Sequence, residues 1–126
     1  MMQIRIKARA QKRRTPGSMT ATEQRYAGEL QARLMLGEIQ RWDFEPERLI
    51  LGKDCTYQPD FRVISQEGFV EFHEVKPSAW KFIPNQSNSA TKLKVAAELH
   101  PYTFCRAVER SKKEGGGFVV ATVEPR

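Results

Sequence analysis

The segment Tyr57-Gln58-Pro59-Asp60-Phe61-Arg62-Val63-Ile64-Ser65-Gln66-Glu67-Gly68-Phe69-Val70-Glu71-Phe72-His73-Glu74-Val75-Lys76 decides the fold. Residues 57 to 64 and 69 to 76 are rich in β-branched and aromatic side chains, and 65 to 68 is a loop of hairpin length ending in glycine. The pattern predicts two antiparallel strands at the centre of a sheet. Pro77 cannot donate to a ladder and closes the hairpin. Side chains alternate along a strand, so Val70, Phe72, Glu74 and Lys76 share one face, apolar where it should meet a helix and charged only toward its end. The returning strand brings Glu74 to the neighbourhood of Asp60. His73 points to the other face and reads as a packing residue.

Upstream, Thr20 followed three residues later by Glu23 fits a capping box, and Tyr26, Ala27, Leu30 and Leu34 recur at helical spacing until Gly37. Glu23 belongs to the same stripe as Tyr26, Ala27 and Leu30 and is expected to face the core. Residues 39 to 44 and 49 to 51 read as short strands around Glu45-Pro46-Glu47, with Gly52-Lys53-Asp54 as the next turn. Downstream, 78 to 89 reads as a long polar loop carrying Trp80, Lys81 and Phe82. Asn88 or Ser89 can then cap a second helix, in which Leu93, Ala96, Ala97 and His100 keep a helical period until Pro101. Residues 102 to 108 and 118 to 123 read as two more strands across the flexible 110 to 117, and there is no internal repeat. The order predicts an α/β or α+β layered domain with a central mixed sheet flanked by helices.

A length of 126 residues, 40% of them hydrophobic and 29% charged, suits one globular domain. No run of 18 apolar residues is present, so no membrane span is expected. The net charge of +6 is concentrated: Arg5, Lys7, Arg9, Lys12, Arg13 and Arg14 stand among the first 22 residues without one acid, and the rest of the chain is balanced. Thr15-Pro16-Gly17-Ser18 is turn chemistry, dividing a basic flexible arm over 1 to 18 from a single domain over 19 to 126. Such an arm suits a grip on nucleic-acid phosphates; the plainer reading is a solubilising leader. Arg5, Lys7 and Arg9 interrupt any secretory apolar region, so the expected compartment is the cytoplasm. Cys55 and Cys105 lie outside any CxxC or Cys/His cluster of the sequence and read as reduced packing thiols. No nucleotide cofactor is expected.

Asp60, Glu74 and Lys76 would place two acids and an amine in one patch, and buried carboxylates at a sheet end need a cation. A hard divalent ion takes oxygen ligands, polarises a phosphoryl group and lowers the pKa of a bound water. A lysine beside it can orient the attacking water and balance charge on the phosphate oxygens. The plainer reading is a solvated hairpin end, with Glu23 serving only its capping box. Lys81 between two aromatic residues, and Lys92 and Lys94 at the start of the second helix, are candidate DNA contacts.

Glu23 on the first helix, then Pro59-Asp60, then Glu74-Val75-Lys76, resembles the PD-(D/E)xK nuclease superfamily. The strings Thr22-Glu23, Tyr26-Ala27, Leu30, Gly37-Glu38-Ile39, Tyr57, Pro59-Asp60-Phe61, His73-Glu74-Val75-Lys76 and Lys92-Leu93-Lys94 are similar to a small phage-borne branch of Holliday-junction-resolvase-like endonucleases. The resemblance spans residues 22 to 94. It implies a restriction-endonuclease-like sheet and a Mg²⁺ or Mn²⁺ site built from Asp60, Glu74 and the Val75 carbonyl, completed by Glu23, with Lys76 as the catalytic amine. It further implies an endodeoxyribonuclease acting on branched DNA during recombination in a bacterial host, and a homodimer, since a symmetric junction needs two matched cuts. Pro77 departs from the branch, which usually places glycine there, but leaves the three motif side chains in place. The rivals are a non-catalytic nucleic-acid-binding module that retains the fold and a nuclease acting on RNA.

Overall fold

The computed structural model describes residues 17–79 and 88–124. The first helix, α1 (Ala21–Met35), begins where the sequence places it: the Thr20 hydroxyl accepts from the Glu23 N–H at 3.1 Å, and Glu23 Oε1 accepts from the Thr20 N–H at 2.9 Å. Two otherwise orphan donors are thereby satisfied. At the other end Gly37 takes φ +79°, and the N–H groups of Gly37 and Glu38 return to the carbonyls of Leu34 and Arg33. A side chain would be strained at that angle, so glycine fixes where the helix stops.

Strands β1 (Ile39–Phe44), β2 (Leu49–Gly52), β3 (Cys55–Tyr57), β4 (Phe61–Ser65) and β5 (Val70–Lys76) follow; then come α2 (Asn88–Leu99), β6 (Thr103–Glu109) and β7 (Phe118–Thr122). Five strands form one mixed sheet in the order β1-β4-β5-β6-β7, and β2 and β3 pair in a small second sheet. Only β5 and β6 run parallel, because α2 lies between them in sequence and carries the chain back; the turn-linked neighbours β4/β5 and β6/β7 are antiparallel. The chain therefore has an α+β fold with β5 at the centre of the main sheet.

Alternation along β5 divides the core. Val75 packs with Phe61, Val63 and Ala107 under Tyr26, Ala27 and Leu30 of α1. Phe72 faces the other way, packing with Phe104 against Leu93, Ala96 and Ala97 of α2 and against Leu49 and Tyr57 of the small sheet. Consecutive residues of one strand thus address different layers, as the period of two requires.

One expected element is divided. Residues 57 to 64 do not make a single strand: Tyr57 ends β3, paired with Leu49 of β2, and β4 begins at Phe61. Pro59, buried between them, has no N–H to give to a ladder. The expected loop at 110 to 117 contains one 3₁₀ turn, Lys112–Glu114. Among the described residues no helix is long and apolar enough to cross a membrane. The arm with Arg5, Lys7, Arg9, Lys12, Arg13 and Arg14, and the segment with Trp80, Lys81 and Phe82, lie outside the described residues.

Candidate functional site

The β4–β5 ladder runs out at the pair Phe61 and His73, and the next residues are Asp60 and Glu74. Asp60 does not drift away from the sheet. Its Oδ2 accepts from the Val75 N–H at 2.8 Å, taking the place of the backbone acceptor that β4 no longer supplies. Glu74 is buried at 6% exposure on the opposite face of β5 from His73 and Val75. Its Oε1 accepts from the Tyr57 hydroxyl at 2.5 Å, and its Oε2 lies 3.2 Å from the Lys76 ammonium. Arg106 stands opposite Glu74 in the parallel β5–β6 register, on the same face.

Glu23 reaches this end of the sheet from the first turn of α1 and is 7% exposed. Its negative charge acts on both Asp60 and Glu74. Three acids from three elements therefore gather round the end of β5, with Lys76 among them. Burial first, and then the charge of Glu74, push the Asp60 carboxyl well above the usual carboxylate range, against the pull of the Val75 N–H and Lys76. Glu74 is raised as well, first by burial, while Lys76 and the Tyr57 hydroxyl hold it down. Burial and the neighbouring Glu74 keep the Tyr57 phenol far above its ordinary value, so it remains a donor.

Added positive charge would favour the ionised forms of Asp60 and Glu74, both of which burial raises. The donor chemistry suits a hard divalent cation, since Asp60, Glu74, Glu23 and the Val75 carbonyl offer oxygen alone. Val75 lies two residues beyond His73, the last β5 residue that β4 pairs. The N–H and C=O of a strand residue point to the same edge, so its carbonyl looks to the side where Asp60 lies.

The expected site residues Glu23, Asp60, Glu74, Val75 and Lys76 are thus brought together. Lys92 is half-buried and Lys94 exposed on α2; among the described residues no hydrogen bond or ion pair ties either to the acids. Two contributors were missed in the sequence. Tyr57 was visible as part of the Tyr57-Gln58-Pro59-Asp60 string, but nothing local announces that its hydroxyl reaches Glu74; Arg106 enters through a strand register that no short motif encodes. A cleft of about 390 Å³ opens beyond the same end of β5, lined by Arg25, Ser78, Arg110 and Lys112 among others. There Arg25 makes a two-pronged ion pair with Glu109, at 2.5 and 2.9 Å.

The cysteines need one correction. Both are free thiols, as expected, but Cys105 is not remote from histidine: the β5–β6 register sets it beside His73, with Glu71 adjacent. Their separation along the chain hid the cluster. His73 is indeed buried, with Nδ1 2.6 Å from the Tyr26 hydroxyl and Nε2 2.9 Å from Glu71 Oε1. Compared with known proteins, the chain matches no family model, no curated protein and no solved structure.

Proposed function

We propose that this chain is a Mg²⁺- or Mn²⁺-dependent endodeoxyribonuclease of the PD-(D/E)xK type, acting on branched DNA such as a Holliday junction. The observation that carries the reading is the pairing of half-buried Asp60 with buried Glu74, which both feel Glu23 and have the Lys76 ammonium 3.2 Å from Glu74. Asp60, Glu74, the Val75 carbonyl and Glu23 would hold the ion, which when bound polarises the phosphoryl group and makes water a better nucleophile.

The rest is done by the chain. The Val75 N–H fixes Asp60, and Tyr57 fixes Glu74, so neither carboxylate has to find its rotamer when substrate arrives. Glu74 Oε2 holds the Lys76 ammonium, which could orient the attacking water and offset charge on a phosphate's equatorial oxygens. Phosphodiesters are favoured over other hydrolysable bonds by Arg110 and Lys112 along the neighbouring cleft and by the six basic residues that the sequence carries in its arm. The rival of a non-catalytic binding module has no observation of its own in its favour, since the acids and the lysine are all present. Incubation of the protein and Mg²⁺ with four-way junction, flap, linear duplex DNA and matched RNA duplex tests the substrate. Preferential cutting of the junction supports the reading, whereas cutting confined to RNA would reassign it.

The arm is expected to add affinity without selectivity. Each phosphate neutralised releases about 0.9 counterion on duplex DNA, so deleting residues 2 to 14 should flatten the slope of log affinity against log salt by roughly 2 to 5 units. Junction and linear duplex should weaken alike, because phosphate contacts carry no sequence information. Turnover at saturating DNA should barely change. An unaltered salt slope would make the arm a passive leader. Two matched cuts across a symmetric junction further call for a homodimer, and sedimentation of the protein with and without junction DNA should show two chains per complex. A monomer under both conditions would leave a nicking enzyme.

A further inference from the structure

We propose that Glu71, His73 and Cys105 form a second metal site, for Zn²⁺ or another borderline-soft divalent transition ion, on the α1 face of the main sheet. One ligand atom from each lies within 4.8 Å of the other two. In a tetrahedral zinc site, bond lengths of about 2.0–2.3 Å set ligand atoms about 3.5 Å apart, so small side-chain adjustments close the distance. The mixed donor set of imidazole, thiol and carboxylate selects against Mg²⁺, which prefers oxygen alone.

His73 is prepared for the role. Its Nδ1 is occupied by the Tyr26 hydroxyl at 2.6 Å, which leaves Nε2 directed at Glu71, 2.9 Å away. A metal-binding histidine ordinarily has its second nitrogen fixed in this manner by a partner outside the coordination shell. In the bound state the single proton of the neutral imidazole would reside on Nδ1, with the Tyr26 oxygen accepting, and Nε2 would be left unprotonated for the ion. Burial pushes the Cys105 thiol up to about 11, so binding would expel the thiol proton to solvent. His73 and Cys105 are almost fully buried, whereas Glu71 retains 28% side-chain exposure, which gives an ion a way in and leaves room for water at the fourth position. Glu71 and His73 stand on the face of β5 opposite Glu74 and Lys76, so the site is separate from the acidic group. It would tie β5 to β6, and through Tyr26 to the helix that carries Glu23.

Titration with Co²⁺ tests this without any use of nuclease activity. The wild-type protein and Cys55→Ser should each develop a thiolate-to-cobalt charge-transfer band that excess Zn²⁺ removes and excess Mg²⁺ leaves in place, and Cys105→Ser should show none. Tyr26→Phe, which keeps the ring and loses only the hydroxyl, should retain the band and bind about 10- to 100-fold more weakly. Absence of the band in the wild-type protein would overturn the proposal, as would its loss in Cys55→Ser, its persistence in Cys105→Ser or its displacement by Mg²⁺.

Discussion

Asp60→Asn and Glu74→Gln should each slow DNA cleavage by about 10³-fold or more while leaving the protein folded and, without metal, more resistant to heat. Each substitution removes a charged oxygen ligand from a centre that needs several, and ion-derived stabilisation of several kcal/mol corresponds to three or more powers of ten at 1.36 kcal/mol each. The stability effect has the opposite sign to most buried substitutions. Both carboxyls are raised in the folded protein, first by burial, so the folded state holds protons that the unfolded chain has released. Stability from these groups is complete below the ordinary carboxylate range near pH 4 and is lost as pH rises through their folded values. A neutral amide escapes that loss. In EDTA the melting temperatures of Asp60→Asn and wild type should therefore diverge as pH rises above about 4, with the variant higher by several degrees, and saturating Mg²⁺ should narrow the gap by stabilising the wild type. Calorimetry over that range checks the sign. A variant that melts lower throughout would show that Asp60 and Glu74 are satisfied without a cation.

Lys76→Ala should separate binding from chemistry. The ammonium sits 3.2 Å from Glu74 Oε2, beside the acids and not among the oxygen donors. Its removal should leave divalent-ion binding measurable by titration calorimetry, while the single-turnover rate falls by about 10²–10³, equivalent to roughly 2.7–4 kcal/mol, as for other preorganised donors to a developing anion. Loss of ion binding together with rate would make Lys76 a structural counter-charge for Glu74. An unchanged rate would remove it from the chemistry.

The elements legible in the sequence are those whose instructions are local. Thr20 and Glu23 write their capping box within one turn, Gly37 stops the helix at an angle only glycine takes without strain, and Gly68 turns the central hairpin at φ +96°. Asp60 and Glu74 could be brought together on paper because one hairpin joins them. The division at Pro59 was less visible, since residues 57 to 64 have the composition of one strand; what separates Tyr57 from Phe61 is pairing with β2 in a different sheet. Tyr57 on Glu74, Arg106 beside it, and Cys105 beside His73 depend on the β5–β6 crossover and on layer packing. Such partners are fixed by tertiary register, which a single chain read in order does not display.

Hydrolysis of DNA at the proposed Asp60–Glu74–Lys76 centre under a divalent ion is tested most directly by single-turnover cleavage of a labelled four-way junction by the wild-type protein. The reaction should proceed with Mg²⁺ or Mn²⁺, stop with EDTA, resume when Mg²⁺ is restored in excess, and be absent from Asp60→Asn purified in parallel. Equal cleavage in EDTA, or equal cleavage by Asp60→Asn, would contradict the account, as would a folded protein that binds the junction and cuts it under neither metal.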